Sequence, residues 1–194
     1  MAITDRRSAK FRRVIAQRQG DLTLVMENIH DPHNVSAVLR SCDAVGVHRV
    51  ELVYTHEKFP RVGRKSSSSA NKWLERRSHK SVPDCYTMLR KEGFRIYATR
   101  LGASADSLYD LDLTGAVALV FGNEHRGVSD EAAQLADKNF HIPMMGMIQS
   151  LNVSVAAAVA LYEALRQRLA TGAYDQAALS PAERERLYTD WISR

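Results

Sequence analysis

A polar cluster of Gln149, Ser150 and Asn152 stands at the mouth of a predicted helix within the segment 147–163. Ser150 or Asn152 can cap that helix, because a short side-chain oxygen satisfies a backbone N–H that is otherwise unpaired. The start of a helix also exposes further N–H groups and a partial positive charge. The cluster is therefore a natural place to hold an oxygen-rich ligand.

Two more polar sets lie at comparable positions, and packing does not explain them. An early predicted helix carries Asn34, Ser36 and Arg40, of which Ser36 and Arg40 share a face at i,i+4 spacing. Glu124 stands in a glycine-flanked turn after a buried strand. Each set also has a plain structural interpretation: Arg40 can pair with Asp43, Glu124 can shape the turn, and the late cluster can simply cap its helix. All three sets together favour a functional site.

Several familiar kinds of site are absent from the sequence. No G-x-G-x-x-G run is present, which removes the usual dinucleotide fingerprint and the related loop of many methyltransferases. The glycines of FGNEHRGVS have P-loop spacing, but Val128 follows where the phosphate-binding lysine would stand. His30 and His33 lack a convincing third ligand, so we expect no metal site. Ser150 is outside any G-x-S-x-G motif, which argues against a serine hydrolase.

Apolar segments alternate with amphipathic ones along the chain. Predicted strands cover 22–28, 48–54, 94–99, 116–121 and 139–143, and predicted helices cover 5–19, 29–46, 81–93, 129–136, 147–163 and a last segment from Ser180. This order predicts an α/β fold with a mainly parallel sheet and helices on both faces. Ligands of such sheets bind outside the carboxyl ends of the strands, which points to the loops around Thr99, 122–127 and 144–152.

The late helix combines an apolar stripe with many small residues. The residues that recur at roughly helical spacing, and that we expect to face the core, are Leu151, Val155, Val159, Tyr162 and Leu169. Alanines and Ser154 lie between them and would let another backbone approach closely.

Positive charge is concentrated in two segments. The first twenty residues carry six basic residues against Asp5, and the segment 58–80, here called the basic segment, carries eight against Glu75. Because the whole chain has a net charge of only +5, the rest of it is acidic. Two basic patches on an acidic body indicate a polyanionic partner, most simply nucleic acid. The alternative is a solvated basic helix and an unstructured basic loop.

The length of 194 residues fits one domain with short appendages. No run approaches the ~20 apolar residues that span a bilayer, and the N-terminus is polar and basic rather than signal-like. Cys42 and Cys85 give no disulfide or metal framework. We expect a cytoplasmic protein with no membrane partner.

Three segments resemble the three motifs of the SPOUT RNA ribose 2′-O-methyltransferases. They are ENIHDPHNVSAVLRSCDAVGV (27–47), ALVFGNEHRGVS (118–129) and IPMMGMIQSLNVSVAAAVALYE (142–163), and their order and spacing match that superfamily. The flanking segments RRVIAQRQGDLTLV and LYTDWISR narrow the resemblance to the branch that methylates guanosine 18 of tRNA.

The resemblance implies a homodimer with a SPOUT fold, whose C-terminal segment forms a deep trefoil knot, an exception to unknotted topology. It implies that S-adenosyl-L-methionine binds in the knot and that tRNA is the substrate. By position, the residues implied to bind the cofactor are Thr99, Leu101, Gly122, Ile142, Met144 and Leu151. The residues implied to form the catalytic site are Arg40, Asn34, Glu124, Ser150 and Asn152.

With tRNA as the implied partner, the basic patches acquire a role in holding its backbone. The residues expected to contact RNA are Arg7, Lys10, Arg12, Arg13, Arg18, Arg64, Lys65 and Lys72. The expected organisation is a basic RNA-binding helix at 1–20, a SPOUT methyltransferase domain at 21–170 and a C-terminal helical extension at 171–194.

The nearest alternative functions are ribose methylation at the tRNA wobble position or in ribosomal RNA by the same site. The ribosomal enzymes usually carry an added N-terminal RNA-binding domain, and wobble enzymes tend to lack the basic N-terminal helix and the long C-terminal tail. A non-catalytic RNA-binding protein on the same scaffold is disfavoured by the full polar set. Arg100 and the trio Asn123, His125 and Arg126 are not specified by the family pattern.

Overall fold

The sheet is built around an apolar strand, β1, that pairs on both sides. The computed structural model describes residues 3–60, 70–102 and 105–194, and in this part seven strands form one sheet in the order β3-β2-β1-β6-β4-β7-β5. Their bounds are β1 Gln19–Glu27, β2 Val47–Val53, β3 Glu75–His79, β4 Arg95–Thr99, β5 Asp106–Ser107, β6 Val117–Phe121 and β7 Lys138–His141. Every pairing between these strands is parallel, so the predicted α/β fold with a mainly parallel sheet is confirmed.

Six helices accompany the sheet in the described residues. Their bounds are α1 Asp5–Ala16, α2 Pro32–Ala44, α3 Val82–Lys91, α4 Asp130–Leu135, α5 Val153–Ala170 and α6 Pro181–Ile192. The core on one face of the sheet is filled from α2 and α5, and the core on the other from α3 and α4. Side-chain caps start these helices: Asp31 accepts from the His33 N–H at 2.7 Å, and Ser180 and Glu183 form a capping box on α6.

A third, aromatic core joins the two ends of the chain. Phe11 of α1 packs against Trp73 and against Trp191 of α6, with ring centroids 5.4 and 5.6 Å apart, and the two tryptophans lie 5.0 Å apart. Trp73 lies in the second half of the basic segment, just before β3. The N-terminal helix, the C-terminal helix and this part of the basic segment therefore form one packed unit.

Two of these strands were not predicted from the sequence. β3 is an edge strand of charged and polar residues, ERRSH, whose half-buried positions alternate with exposed ones. It lacks the apolar run that marks a buried strand, and it lay inside the segment interpreted as basic loop. β5 has only two residues, too few to give any pattern.

The predicted core face of α5 was wrong for four of its five residues. Val159 is partly buried and packs against the core, but Leu151, Val155, Tyr162 and Leu169 are exposed by 36%, 47%, 53% and 58%. The buried positions of the helix are Ala157, Ala160, Leu161, Glu163, Ala164 and Arg168. Small side chains are buried because α5 packs closely against α2. The larger apolar side chains form a stripe on the outside, here called the α5 stripe.

No helix in the described ranges is long and apolar enough to cross a membrane. Cys42 and Cys85 are both free thiols buried in the core.

Candidate functional site

The carboxyl ends of β4, β6 and β7 open into one cavity of about 670 Å³. Its wall comes from the three loops selected from the sequence: residues after Thr99, the turn 122–128, and the segment from His141 to Val153. Because parallel strands end at the same edge of a sheet, these distant segments meet there. A cavity of this size lies within the range of roughly 300–1,000 Å³ that is typical of small-molecule sites.

Gly122 determines the shape of the turn after β6. A Cβ atom at this position would lie 2.1 Å from the carbonyl oxygen of Gly127, so only glycine fits. Gly127 itself has a φ of +68° and donates its N–H to the Asn123 carbonyl at 2.8 Å. The turn therefore folds back on its own backbone and presents its N–H and C=O groups beside the cavity.

Glu124 is held by three donors from the segment that starts α2. Its carboxylate accepts from the backbone N–H groups of His30 and Asp31, both at 3.1 Å, and from Nδ2 of Asn34 at 2.9 Å. Burial alone would raise the pKa of Glu124, but the hydrogen bonds from Asn34 and the two backbone groups outweigh it and the net pKa is lowered. Glu124 is therefore an ionised clamp that joins the turn to α2.

Asn34 and Asn152 connect α2 to α5 across the site. Nδ2 of Asn152 donates to Oδ1 of Asn34 at 3.0 Å, while Oδ1 of Asn152 accepts from the Ser154 N–H at 2.8 Å. Asn152 is thus the N-cap of α5, and of the two predicted caps, Ser150 and Asn152, it is Asn152 that the structure shows. Glu124, Asn34 and Asn152 form one continuous hydrogen-bonded row.

The remaining predicted catalytic residues lie differently. Ser150 is exposed and lines the cavity beside Asn152. Arg40 is exposed on α2 but is not part of the cavity wall. The alternative pairing of Arg40 with Asp43 is not formed, because the Asp43 carboxylate is bound by Arg18 instead. Arg40 is therefore free of that partner and open to solvent.

Two features of the rim were not specified from the sequence. Asn123 is buried, donates Nδ2 to the Asn28 carbonyl at 2.9 Å and accepts the His125 N–H at 3.0 Å, so it shapes the turn that carries Glu124. Arg100 pairs with Asp130 at 2.9 Å on the edge of the cavity. The position of Asn123 between Gly122 and Glu124 was the only signal available for it.

A family model described as the SpoU rRNA methylase family matches residues 21–162. The chain belongs to the SpoU rRNA methylase family. The matched range includes all three cavity loops and α2, so the cavity described above is part of the family's shared domain.

Individual relatives of this SpoU methylase match over nearly its whole length. It is 44% identical over 191 residues to the tRNA (guanosine(18)-2′-O)-methyltransferase of Thermus thermophilus, covering 98% of both chains. The solved Aquifex aeolicus TrmH/SpoU tRNA modifying enzyme superposes with a TM-score of 0.92 at 36% identity, covering 97% of this chain and 96% of that one. AviRb of Streptomyces viridochromogenes, solved in complex with the cofactor AdoMet, has a TM-score of 0.69 at 30% identity, covering 80% and 64%.

All six residues predicted to bind the cofactor lie in the cavity wall of this methylase. They are Thr99, Leu101, Gly122, Ile142, Met144 and Leu151. Their mixture of backbone, threonine and aliphatic surface suits a ligand that combines a polar chain with a flat heteroaromatic ring. Among the residues the structure describes, no group of three or more His, Cys, Asp and Glu side chains is arranged to hold a metal ion.

The predicted RNA-contact residues fall into three groups. On α1, Arg7, Lys10, Arg12 and Arg13 are exposed, although Arg12 pairs with Glu185 of α6 at 2.7 Å. Lys72 is half-buried in a basic cleft. The cleft is lined by Asn71, Lys72, Leu74, Glu75, Arg76, Arg186 and Arg194. Arg64 and Lys65 lie outside the described residues.

Arg18 does not fit its predicted role. Its side chain is fully buried and donates to the Asp43 carboxylate, to the Val47 carbonyl at 2.8 Å and to the Trp73 carbonyl at 3.3 Å. Its guanidinium also lies 5.3 Å from the centroid of the Trp191 ring. Arg18 therefore fastens the aromatic core to the sheet and is not available to RNA.

Proposed function

We propose that this SpoU methylase transfers a methyl group from S-adenosyl-L-methionine to the ribose 2′-oxygen of guanosine 18 in the D-loop of tRNA. The observation that carries the proposal is the cavity at the ends of β4, β6 and β7, with a polar row at its rim, in a chain whose guanosine-18 relatives match it from end to end. Family membership supports the reaction type, and the near-complete coverage supports the substrate.

The cavity fits S-adenosyl-L-methionine in size and in kind. Gly122 lets the turn close on the backbone of Gly127 at the cavity wall, and Thr99, Ile142 and Leu151 supply polar and aliphatic surface around the cavity. The cofactor, when bound, supplies an electrophilic methyl carbon. The protein would hold that carbon in line with the incoming ribose oxygen, since positioning provides much of the rate of such transfers.

Arg40 is the proposed catalytic group. A ribose 2′-hydroxyl is a weak nucleophile until its proton is shared or lost, and a guanidinium normally remains charged. Arg40 can act in two ways: as a base assisted by a substrate phosphate, or as a cation that fixes the phosphate and stabilises negative charge developing on the 2′-oxygen. Its exposure and its freedom from Asp43 suit an encounter with a phosphate.

Asn34, Glu124, Ser150 and Asn152 complete the proposed site. The row Glu124–Asn34–Asn152 fixes the start of α2 against the start of α5, and Ser150 lines the cavity next to Asn152. Because the amides are locked by their partners, the ribose would meet a preorganised polar edge rather than mobile side chains.

The proposed RNA surface consists of the exposed basic residues of α1 together with the basic cleft. Glu75 in this cleft is already paired with Arg186 at 2.6 Å, which leaves Lys72 and Arg76 to attract phosphate. Cations arranged along one end of the molecule favour a backbone that tracks over it. Arg64 and Lys65 remain part of this proposal from sequence.

The wider organisation is proposed from family membership. It comprises a homodimer, a trefoil knot formed by the C-terminal segment, and a cytoplasmic location beside tRNA. The division into an RNA-binding extension at 1–20, a methyltransferase domain at 21–170 and a helical extension at 171–194 belongs to the same proposal. The exposed α5 stripe supports the homodimer, because a row of large apolar side chains on a helix is unfavourable in water.

Mapping the methylated nucleotide tests the function directly. A tRNA transcript is incubated with the protein and S-adenosyl-L-methionine, and ribose methylation is located by nuclease digestion and mass spectrometry. We expect one modification at guanosine 18, none in a transcript with adenosine there, and none at the wobble position or in ribosomal RNA. Methylation elsewhere would move the assignment to one of those alternatives, and binding without methylation would leave an RNA-binding protein.

A further inference from the structure

Asn28 has an unusual backbone conformation at the end of β1. Within residues 3–60, 70–102 and 105–194 it is the single non-glycine residue with a positive φ, +52°. Asparagine tolerates this left-handed region better than most residues, but a site that requires it commonly has a purpose. The residue is also buried, with only 5% of its surface exposed.

The side chain of Asn28 binds the three residues that directly precede the basic segment. Its Oδ1 accepts from the backbone N–H groups of Thr55, His56 and Glu57 at 2.9, 3.1 and 3.3 Å. Its Nδ2 donates to Oγ1 of Thr55 at 3.3 Å. One carboxamide thus orders three consecutive residues between β2 and the basic segment.

The backbone of Asn28 is tied to the turn that carries Glu124. Its carbonyl accepts from Nδ2 of Asn123 at 2.9 Å, and Oδ1 of Asn123 accepts from the N–H groups of His125 and Arg126 at 3.0 and 3.3 Å. Asn123 therefore bends the turn around Glu124 and fastens it to Asn28. A single residue joins two loops that are distant in sequence.

Further contacts support the same junction. Glu57 lies 3.3 Å from Nδ1 of His30 and 3.4 Å from the guanidinium of Arg126, and the hydroxyl of Tyr54 donates to the Ile29 carbonyl at 3.0 Å. The contacts of Glu57 are with exposed side chains, whereas Tyr54 is partly buried against the core, so together they define the relative position of the two loops.

We propose that Asn28 is a positioning residue that fixes the base of the basic segment, and with it bound tRNA, relative to Glu124 and its partners. The inference rests on the proposed function, because it assigns the basic segment to RNA. Asn28 does not line the cavity, and its hydrogen bond to Asn123, which does, comes from its backbone carbonyl, so its side chain acts on RNA placement and not on cofactor binding.

Two substitutions separate its conformation from its hydrogen bonds. Asn28→Gly keeps the positive φ without strain but removes the acceptor, whereas Asn28→Asp keeps an acceptor oxygen and a residue that tolerates this φ. Thr55 and His56 are exposed, so water can satisfy their N–H groups in the glycine variant and the fold should survive. Thr55→Val is the matched control, since it removes the side-chain partner of the carboxamide and leaves its three backbone donors in place.

Steady-state methylation of a tRNA transcript gives the decisive measurement. For Asn28→Gly we expect KM for tRNA to rise about tenfold, with Kd for S-adenosyl-L-methionine and Tm nearly unchanged. Asn28→Asp and Thr55→Val should remain within about twofold of the wild type. Hydrogen exchange of peptides covering 54–60 should be faster only in the glycine variant.

The outcomes are distinct from those of the proposed function. If the wild-type protein fails to methylate guanosine 18, the proposed function is overturned, while faster exchange at 54–60 in Asn28→Gly still upholds the anchoring role. If the wild type is active and Asn28→Gly has a normal KM, the positioning role is overturned. The same conclusion follows if Asn28→Asp is as impaired as Asn28→Gly, because the acceptor would then not be the feature that matters.

Discussion

Gly122 shows how a single missing side chain shapes the site. Its own Cβ position is filled by the backbone of Gly127, so the turn closes more tightly than any other residue would permit. Gly146, on the loop before α5, has no atom within 4 Å of the equivalent position. Two glycines in segments that line or adjoin the cavity are therefore expected to differ sharply in their tolerance of a methyl group.

We predict that Gly122→Ala abolishes measurable S-adenosyl-L-methionine binding and lowers stability at the upper end of the roughly 1–3 kcal/mol typical of overpacking, or beyond it. Gly146→Ala should retain cofactor affinity and Tm. Calorimetric titration with the cofactor and thermal unfolding measure both. If the two variants had the same cofactor affinity and Tm, the turn at Gly122 could open without loss of binding or stability, and the prediction would be wrong.

Substitution of Arg40 should affect methyl transfer and not cofactor binding, because Arg40 is exposed and lies outside the cavity wall. We predict that Arg40→Ala lowers kcat for tRNA methylation by about 100-fold or more, as for loss of a group that stabilises developing negative charge. Kd for S-adenosyl-L-methionine should be unchanged. Single-turnover methylation and a cofactor titration provide the comparison, and a variant with near-normal turnover would remove Arg40 from the mechanism.

At the residue scale, the sequence selected polar residues that the fold brings together, and their functional roles remain predictions, whereas it misplaced one buried residue. Asn34, Glu124 and Asn152 were selected as separate sets and are linked by hydrogen bonds. Arg18 was assigned to RNA because its neighbours are basic, and a linear sequence gives no sign that Trp191 and Asp43 enclose it. Contacts between residues so distant in sequence depend on tertiary packing.

At the scale of elements, α1 is both a packed and a charged helix. Phe11 and Ile15 are buried in the aromatic core, so deleting the N-terminus would expose Trp73 and Trp191 as well as remove charge. Substitutions of exposed cations are the cleaner test. Lys10 and Arg13 share a face at i,i+3 spacing and are both exposed.

We predict that Lys10→Gln with Arg13→Gln weakens tRNA binding and flattens its log–log dependence on salt by about 0.9 for each lost phosphate contact. Tm should change little, because neither side chain contributes to the aromatic core. Filter binding across a salt series measures the slope. Lys91→Gln, an exposed change on α3, serves as control and should leave it unaltered, and a double variant with the wild-type slope would exclude α1 from the RNA surface.

The contact between α6 and β3 has a pH dependence of known sign. Hydrogen bonds from His48, which exceed the opposing effect of burial, and from Arg186 lower the pKa of Glu75 to about 2. A depressed carboxylate pKa contributes stability that is present above the unfolded-state value and is lost as the pH falls through the folded one. This contribution should therefore disappear between about pH 4.5 and pH 2.

We predict that Glu75→Gln lowers Tm at about pH 6 and that the difference from the wild type narrows at about pH 3. Other groups also titrate in this range, but they are common to both proteins and cancel in the comparison. Thermal unfolding followed by tryptophan fluorescence is suited to the measurement, because Trp73 and Trp191 lie in the adjoining aromatic core. A difference that widens on acidification would contradict the assigned direction.

Elements with apolar periodicity were predictable, and those without it were not. β1, β2, β4, β6 and β7 were found within a few residues, whereas the polar edge strand β3 was missed. The helical periodicity also showed that the α5 stripe is apolar, but it does not indicate which surface packs against the stripe. Helical spacing is the same whether a face packs on its own core or on a second chain.

In the single chain the α5 stripe is exposed to water, and the stripe adjoins the cavity. Leu151 belongs to both, since it lines the cavity and begins the stripe that continues through Val155 and Tyr162. In a two-fold dimer the same patch meets itself, so one substitution enters the interface twice. An acidic residue in the stripe would place two like charges in an apolar contact. The free-energy cost of burying them exceeds that of the same substitution on an exposed surface.

We predict that Tyr162→Glu converts the proposed homodimer to a monomer and weakens S-adenosyl-L-methionine binding, because Leu151 loses its cover at the cavity edge. Tyr109→Glu is the matched control: Tyr109 is 56% exposed and Tyr162 53%, yet Tyr109 belongs to the short turn Leu108–Asp110 before β6 and not to α5. Light scattering after size-exclusion chromatography gives the mass, and cofactor titration gives the affinity. A wild-type monomer would refute the homodimer itself. A dimeric Tyr162→Glu would show that the two chains meet elsewhere, and the apolar stripe would then need another explanation than self-association.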